Sequence, residues 1–339
     1  MKFLKLFSGC VFLLLFFMAS SQTAEVGETL EEIVVVGRQP GPPMWRVSKG
    51  DHVLWIFPHL SPVPKDMIWE TDKVAVVIAK SQEAIGLPRV YWTASPLLLL
   101  NPVNIFRGLR LAKRLSRNPD GATLEEVLPA ELYARFAALQ AKHFPREDAF
   151  EKMRPMVAGG WMSGIIQKEE GLVPGADILK RLRRLIRRNR DIERTEVEVK
   201  IDIEGNYRAV ADRAETFMKS LAPEWELACF EEQVRSMEQD LDAMKLRANA
   251  WAQGYVDEIR NLPAVEDFTG ACAKLMLGST EQELLVESLA RANRLWLEAA
   301  ERALASNLST FAILPINNLV SQDGLLGQLK AKGYEVREP

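Results

Sequence analysis

Histidine and cysteine are scarce in this chain. Its 339 residues include three of each, which is too few for zinc fingers, iron–sulfur clusters or disulfide-stapled miniature scaffolds. An excess of one charge is missing too, because 43 basic residues stand against 46 acidic ones. That balance gives no global electrostatic case for nucleic acid, so we expect no nucleic acid partner. The sequence also lacks a phosphate-binding glycine-rich loop and the His-Glu-x-x-His and Gly-x-Ser-x-Gly patterns of hydrolases.

The first residues have the order of a secretory signal. Lys2 and Lys5 precede an apolar run at residues 7–18, and small residues follow as far as Ser21. The alternative is a membrane anchor, but as a helix the run of about 12 residues rises about 18 Å, short of the roughly 30 Å of a hydrocarbon core. Cys10 lies too early in the run for lipoprotein acylation. We therefore expect a signal peptide at residues 1–21, a periplasmic or secreted protein, and no transmembrane segment in the mature chain.

Removal of the signal leaves two cysteines, Cys229 and Cys272. An even number of cysteines in an oxidising compartment favours pairing, so we expect a disulfide between them. The alternative is two buried free thiols. A bridge over this span would remove about 4 kcal/mol of unfolded-chain entropy in the loop-closure model.

The hydrophobic pattern divides the mature chain into a linker at residues 22–44 and a single domain at 45–339. Runs at 45–47 and 53–57 flank a glycine-containing turn and predict a β-hairpin. The β-branched run at 73–78 predicts a buried strand, and the apolar stretch at 96–106 a buried loop or core segment. Alternating apolar residues at 196–203 indicate another strand.

Most of residues 105–306 follow a helical period instead. One helix is predicted at about 224–260, with a buried stripe that includes Phe230, Trp251 and Tyr255, and another at about 281–306, with Leu284, Leu289 and Trp296 facing inward. Residues 310–336 form a closing strand–helix–strand unit, whose spacing favours a parallel sheet. We therefore predict an α/β fold in which both ends of the chain form one mixed sheet around a large helical central insertion.

A strongly basic amphipathic helix is predicted around residues 180–190. Its cations are Lys180, Arg181, Arg183, Arg184, Arg187, Arg188 and Arg190. It could bind anionic lipid or a polyanionic polysaccharide. Alternatively it is a solvated face, partly neutralised by nearby acidic residues, namely Asp191, Glu193, Glu196 and Glu198.

The three histidines are His52, His59 and His143, and none follows residue 143. A site that needs imidazoles from both ends of the sheet therefore cannot form. His59 directly follows the predicted strand at 53–57, and strand ends often carry chemistry.

Three separated segments resemble the TraB/GumN family: residues 44–65, residues 229–262 around the Arg247-Ala-Asn-Ala-Trp251 stretch, and residues 309–334. The resemblance covers nearly all of the mature chain. Family members are similar to the Tiki proteases. The resemblance implies an α/β sheet of two related halves and, in active members, a divalent metal near the strand ends.

The family's active pattern is a Gly-x-x-His after the second strand, a Glu ending the next strand and a further His near the C-terminus. Here the first His position holds Ser61, the Glu position falls at Ile78 or Ala79, and the last His position holds Asn318. Compared with this pattern, every principal ligand and acid–base position is altered.

Two functions remain compatible with these replacements. In the first, the protein is catalytically degenerate, takes no metal or cofactor, and binds an unknown protein or an envelope polysaccharide. In the second, a metal-dependent peptidase or hydrolase has a site rebuilt around His59, with Asn318 and Asp323 as further ligands. Their oxygen atoms suit manganese, cobalt or magnesium rather than zinc.

Overall fold

The computed structural model describes residues 39–94, 101–144, 150–203, 205–262, 272 and 280–339. The predicted signal peptide and most of the predicted linker lie outside these residues. The helices and strands, in chain order, are β1 (Trp45–Lys49), β2 (His52–His59), β3 (Val63–Pro64), α1 (Asp72–Lys80), β4 (Glu83–Ile85), β5 (Arg89–Ala94), α2 (Pro102–Leu115), α3 (Leu124–Val127), α4 (Ala130–His143), α5 (Pro155–Glu169), β6 (Leu172–Val173), α6 (Ala176–Arg188), β7 (Glu193–Thr195), β8 (Glu198–Ile203), α7 (Tyr207–Ser220), α8 (Pro223–Gln253), α9 (Val256–Asn261), α10 (Thr280–Ser306), β9 (Ser309–Pro315), α11 (Asn317–Val320), α12 (Leu325–Ala331) and β10 (Glu335–Arg337).

Both ends of the chain build one six-stranded mixed sheet, which confirms the predicted fold class. Its strand order is β10-β1-β2-β9-β4-β7. β1 and β2 form the predicted hairpin across Gly50, whose φ of +59° favours glycine. β9 lies parallel to both β2 and β4, and β7 lies parallel to β4. These four strands therefore end at the same edge of the sheet, which we call the carboxyl edge.

The two strands of the closing strand–helix–strand unit are not neighbours in the sheet. β10 pairs antiparallel with β1, which is itself antiparallel to β2. β10 and β9 therefore run in the same direction, as their spacing predicts, but β1 and β2 lie between them.

Two apolar runs have a different structure from the one that the sequence predicts. Residues 73–78 belong to helix α1 rather than to a strand, because Val74 and Ile78, four residues apart, are buried while Val76 is 53% exposed. Of the stretch at 96–106, the part that the structure describes begins helix α2, and Phe106 is 55% exposed. The prediction that this stretch is buried is therefore wrong for Val103, Ile105 and Phe106, whose exposed fractions are 50% or more.

The alternating run at 196–203 is strand β8, with Val197, Val199 and Ile201 buried as predicted. β8 pairs with β5 in a separate two-stranded sheet, and the short β7 before it joins the six-stranded sheet. One alternating run therefore lies beside the main sheet and not in it.

Helix α8 joins two hydrophobic clusters. Phe230 and Val234 pack with α4 and α5, whereas Ala248 and Trp251 pack into the cluster that includes the main sheet. The helix ends at Gly254, whose φ of +85° is a left-handed C-cap conformation. The predicted helix is therefore two helices, and Tyr255, predicted to be buried, is 50% exposed.

The predicted disulfide is present, and it links Cys229 to Cys272. Helix α10 is also present, with Trp296 buried, but Leu284 and Leu289 are 43% and 48% exposed, so the prediction that they face inward is wrong. Across the residues that the structure describes, no helix combines the length and the apolar character that a membrane span requires.

Candidate functional site at the carboxyl edge

His59 and the C-terminal candidate Asn318 come from neighbouring strands. His59 is the last residue of β2 and pairs with Pro315, the last residue of β9. The backbone N–H of Ile316 donates to the His59 carbonyl oxygen at 2.9 Å. Asn318 follows in the short helix α11. The fold thus brings two predicted site segments to one part of the carboxyl edge, although His59 and Pro315 are 256 residues apart in sequence.

The His59 ring is committed to a structural hydrogen bond. Its Nε2 lies 3.2 Å from the carbonyl oxygen of Gly175. Because a carbonyl oxygen can only accept, Nε2 carries the proton, which leaves Nδ1 as the one nitrogen of this ring that could bind a metal. Burial lowers the pKa of the imidazole below its ordinary value, and the hydrogen bond to Gly175 opposes this shift only in part. His59 is therefore neutral at pH 7.

Ser61 is held by the same residue as His59. Its Oγ accepts a hydrogen bond from the backbone N–H of Gly175 at 3.1 Å. A Cβ on Gly175 would lie 2.2 Å from the Leu60 carbonyl oxygen and 2.9 Å from His59 Nε2, so only glycine fits this contact. The segment before α6 therefore closes tightly over the residues that follow β2. The sequence contains no signal for the role of Gly175 beyond its position directly before the basic helix.

A buried cation lies near the end of β9. Arg247, on α8, is 6% exposed, and its Nη1 donates to Asn317 Oδ1 at 3.4 Å. Burial lowers the pKa of this guanidinium, yet arginine starts so far above neutrality that it stays charged. One helical turn later, Trp251 Nε1 donates to the Pro58 carbonyl oxygen at 2.8 Å. Helix α8 thus fastens the ends of β2 and β9 and adds a positive charge beside them.

The remaining predicted positions supply few ligands. Ile78 and Ala79 lie in α1, and the strand that follows it is β4, which ends at Ile85. Neither Ile85 nor the following Gly86 carries a carboxylate. Asp323 is exposed in the segment between α11 and α12.

These residues do not fit the divalent metal that the family resemblance implies. A catalytic metal needs about three protein ligands and an open position. Here His59 offers only its Nδ1, Ser61 and Asn318 are uncharged, and Arg247 would repel a cation. Among the described residues, no group of three or more His, Cys, Asp or Glu side chains is placed to hold a metal ion.

A cleft lies along the same edge, next to β4 and β7. It has a volume of about 630 Å³ and lies between these strands and helix α6, and we call it the cationic cleft. Its charged lining consists of four arginines and two glutamates, namely Arg89, Arg183, Arg187, Arg194, Glu196 and Glu198. Leu179 and Ile186 supply an apolar floor.

The acidic residues of this region offset the charge of the cleft only in part. Glu196 and Glu198 lie 3.1 Å and 2.5 Å from Arg89 Nη2, so they form ion pairs with β5 rather than with the basic helix. In the part of the chain that the structure describes, neither Arg183 nor Arg187 forms an ion pair. The alternative in which nearby acidic residues partly neutralise the basic helix stays a prediction.

Comparison with known proteins adds one finding to this geometry. Residues 43–338 match the model of the TraB/PrgY/gumN family. No curated protein and no solved structure matches the chain. The match extends across both ends of the sheet and the helical centre, and so the chain belongs to the TraB/PrgY/gumN family.

Proposed function

We propose that this protein is a secreted or periplasmic, catalytically inactive member of its family that binds an anionic polysaccharide of the cell envelope. The observation that carries the proposal is the cationic cleft of about 630 Å³, where four arginines outnumber two glutamates and Arg183, Arg187 and Arg194 are exposed. In open α/β sheets, ligands bind at the carboxyl ends of the strands, which is where this cleft lies.

The spacing of the arginines suits a polymer with repeated acidic groups. Arg183 and Arg187 stand one helical turn apart, about 5–6 Å between their Cβ atoms. Each guanidinium can hold a carboxylate through two parallel hydrogen bonds. The apolar floor of Leu179 and Ile186 offers a surface on which the less polar face of a sugar ring can pack.

Catalytic inactivity is supported by the state of the His59 site. Gly175 forms hydrogen bonds to His59 Nε2 and to Ser61 Oγ. The buried charge of Arg247 disfavours a metal ion there, and Ile85 supplies no carboxylate to act as a base. Export is supported by the N-terminal pattern and by the disulfide, which is typical of oxidising compartments.

Binding to polygalacturonate, a carboxylated polysaccharide, tests the cleft, with uncharged dextran as the control ligand. Arg183→Gln/Arg187→Gln should weaken the affinity at least about tenfold, because each lost charge-assisted contact is worth about 1.5–3 kcal/mol. Arg184→Gln/Arg188→Gln is the matched control, since these residues lie on the same helix, are exposed, and do not line the cleft. An equal loss in both variants, or no binding by the wild-type protein, would contradict the proposal.

A second candidate is the metal hydrolase rebuilt around His59, favoured by the junction of β2 and β9 beside Asn317 and Asn318. Metal-free protein should be supplied with manganese, cobalt or zinc, and hydrolysis of a fluorogenic peptide mixture followed. We expect no turnover and no stoichiometric metal uptake. Uptake with turnover that His59→Ala abolishes would establish the second candidate and overturn the first.

A further inference from the structure

Helix α2 exposes an apolar face to solvent. Val103, Ile105, Phe106 and Leu109 are 52%, 50%, 55% and 65% exposed, and no residue of this helix is buried. Ile105, Leu109 and the exposed Ala112 follow the i, i+4, i+7 spacing of one helical face. Contiguous exposed apolar side chains of this kind mark an interaction surface.

The helix is well formed and is held to the rest of the protein. The Asn101 side chain caps its first turn by accepting from the Val103 N–H at 2.9 Å, and Pro102 occupies the first helical position. At the other end, Arg114 forms an ion pair with Glu215 of α7, on which α2 packs. The protein therefore presents a fixed helix, with its apolar face turned outward.

Cations lie beside this face. Arg110 and Lys113 are exposed and stand one helical turn after Phe106 and Leu109, and no Asp or Glu occurs between residues 89 and 120. The Arg110 guanidinium lies 4.2 Å from the centre of the Phe106 ring, so the cation and the aromatic ring form one surface. Apolar side chains beside Lys and Arg are the composition of helices that lie in the interface of anionic membranes.

We infer that α2 docks this protein on an anionic lipid bilayer, with Ile105, Phe106 and Leu109 entering the headgroup region and Arg110 and Lys113 binding lipid phosphates. Charge complementarity favours a bilayer over a second copy of the chain. A symmetric pairing of two α2 helices would bring their cations together without acidic partners. The inference does not depend on the cationic cleft or on its ligand.

Vesicle flotation tests the docking, with phosphatidylcholine vesicles and with vesicles of phosphatidylcholine and phosphatidylglycerol in equal amounts. The wild-type protein should float with the anionic vesicles and bind the neutral ones more weakly. Ile105→Ser/Leu109→Ser should reduce the affinity at least about tenfold, at roughly fivefold for each side chain withdrawn from the interface. Val76→Ser/Leu308→Ser is the matched control, since these residues are 53% and 62% exposed elsewhere.

A second pair of variants tests the electrostatic contribution of the α2 cations to membrane binding. Arg110→Gln/Lys113→Gln should reduce binding to anionic vesicles about tenfold or more, because each cation near the surface contributes roughly a fivefold factor. Arg184→Gln/Arg188→Gln on α6 should leave it within about threefold. Equal losses in both variants would indicate non-specific attraction and overturn the inference, as would absence of wild-type binding.

Light scattering without lipid tests the alternative in which a second copy of the chain binds to α2. A concentration-dependent dimer that Leu109→Ser abolishes would show that α2 pairs with a second copy, and the inference would be wrong. The α2 variants should bind polygalacturonate like the wild-type protein, so the failure of either proposal can be recognised separately.

Discussion

Trp251 is the side chain through which helix α8 holds the end of β2. Its ring is fully buried and meets Phe57 and Trp69 edge-on, with centroid distances of 6.0 Å and 5.7 Å. Trp251→Ala removes these contacts and leaves a cavity, so the free energy of unfolding should fall by about 3–5 kcal/mol. Trp251→Phe keeps much of the packing but leaves the buried Pro58 carbonyl without its donor, which should cost about 1–3 kcal/mol.

Urea denaturation followed by circular dichroism measures both losses as shifts of the midpoint at constant slope. Trp161→Ala is the control, because Trp161 is 63% exposed on α5 and its removal should change stability by no more than about 0.5 kcal/mol. A loss below about 1 kcal/mol for Trp251→Ala would refute the reasoning, since it would mean that the ring does not contribute to the core.

Three further predictions concern the site and its supports. Burial lowers the pKa of His59 below its ordinary value of 6.5. The stability that the neutral His59 ring contributes is therefore complete above pH 6.5 and is lost as the pH falls below 6.5. His59→Gln should flatten the pH dependence of the unfolding free energy in this range. Glu226→Ala leaves Arg154, whose side chain is 12% exposed, without the carboxylate it binds at 2.7 Å and 2.6 Å, and calorimetry should show a loss of about 3–5 kcal/mol, which Arg154→Met in the same chain should partly restore. Gly175→Ala should lower the melting temperature, whereas Gly164→Ala, with open space around its Cβ position, should raise it slightly; equal effects would show that the contact with His59 is not tight.

The parts of the fold that the sequence predicts correctly have a periodic pattern with one face buried. In the β1–β2 hairpin, Trp45, Val47, Leu54 and Ile56 are fully buried, and the more exposed Arg46 and Trp55 lie between them. Local patterning is decisive there because the turn at Gly50 allows only one register.

The errors arise where a short apolar run fits two periods. Residues 73–78 contain enough β-branched side chains for a strand, yet Val74 and Ile78 also fit a helix, and packing of α1 against β9 and α6 decides the outcome. Helix α2 could not be recognised because an apolar run is normally buried, and here its exposure is the informative feature.

The candidate site was predictable only in part. The strand-end position of His59 follows from the sequence, but the contact with Gly175 depends on how a segment more than a hundred residues away packs. The same holds for Glu196 and Glu198, whose ion pairs with Arg89 join residues that only the pairing of β5 with β8 brings together.

The position of β9 has a consequence for how the chain acquires its fold. β9 lies between β2 and β4, although the ribosome makes it about 220 residues after β4. Until residues 309–315 have been synthesised, β2 and β4 lack the strand that joins them, and the main sheet cannot close. Such long sequence separation between paired strands slows folding, because the chain loses the entropy of loop closure before the stabilising contacts between the strands can form. The main sheet is therefore completed at its centre, by a strand that is synthesised long after its two neighbours.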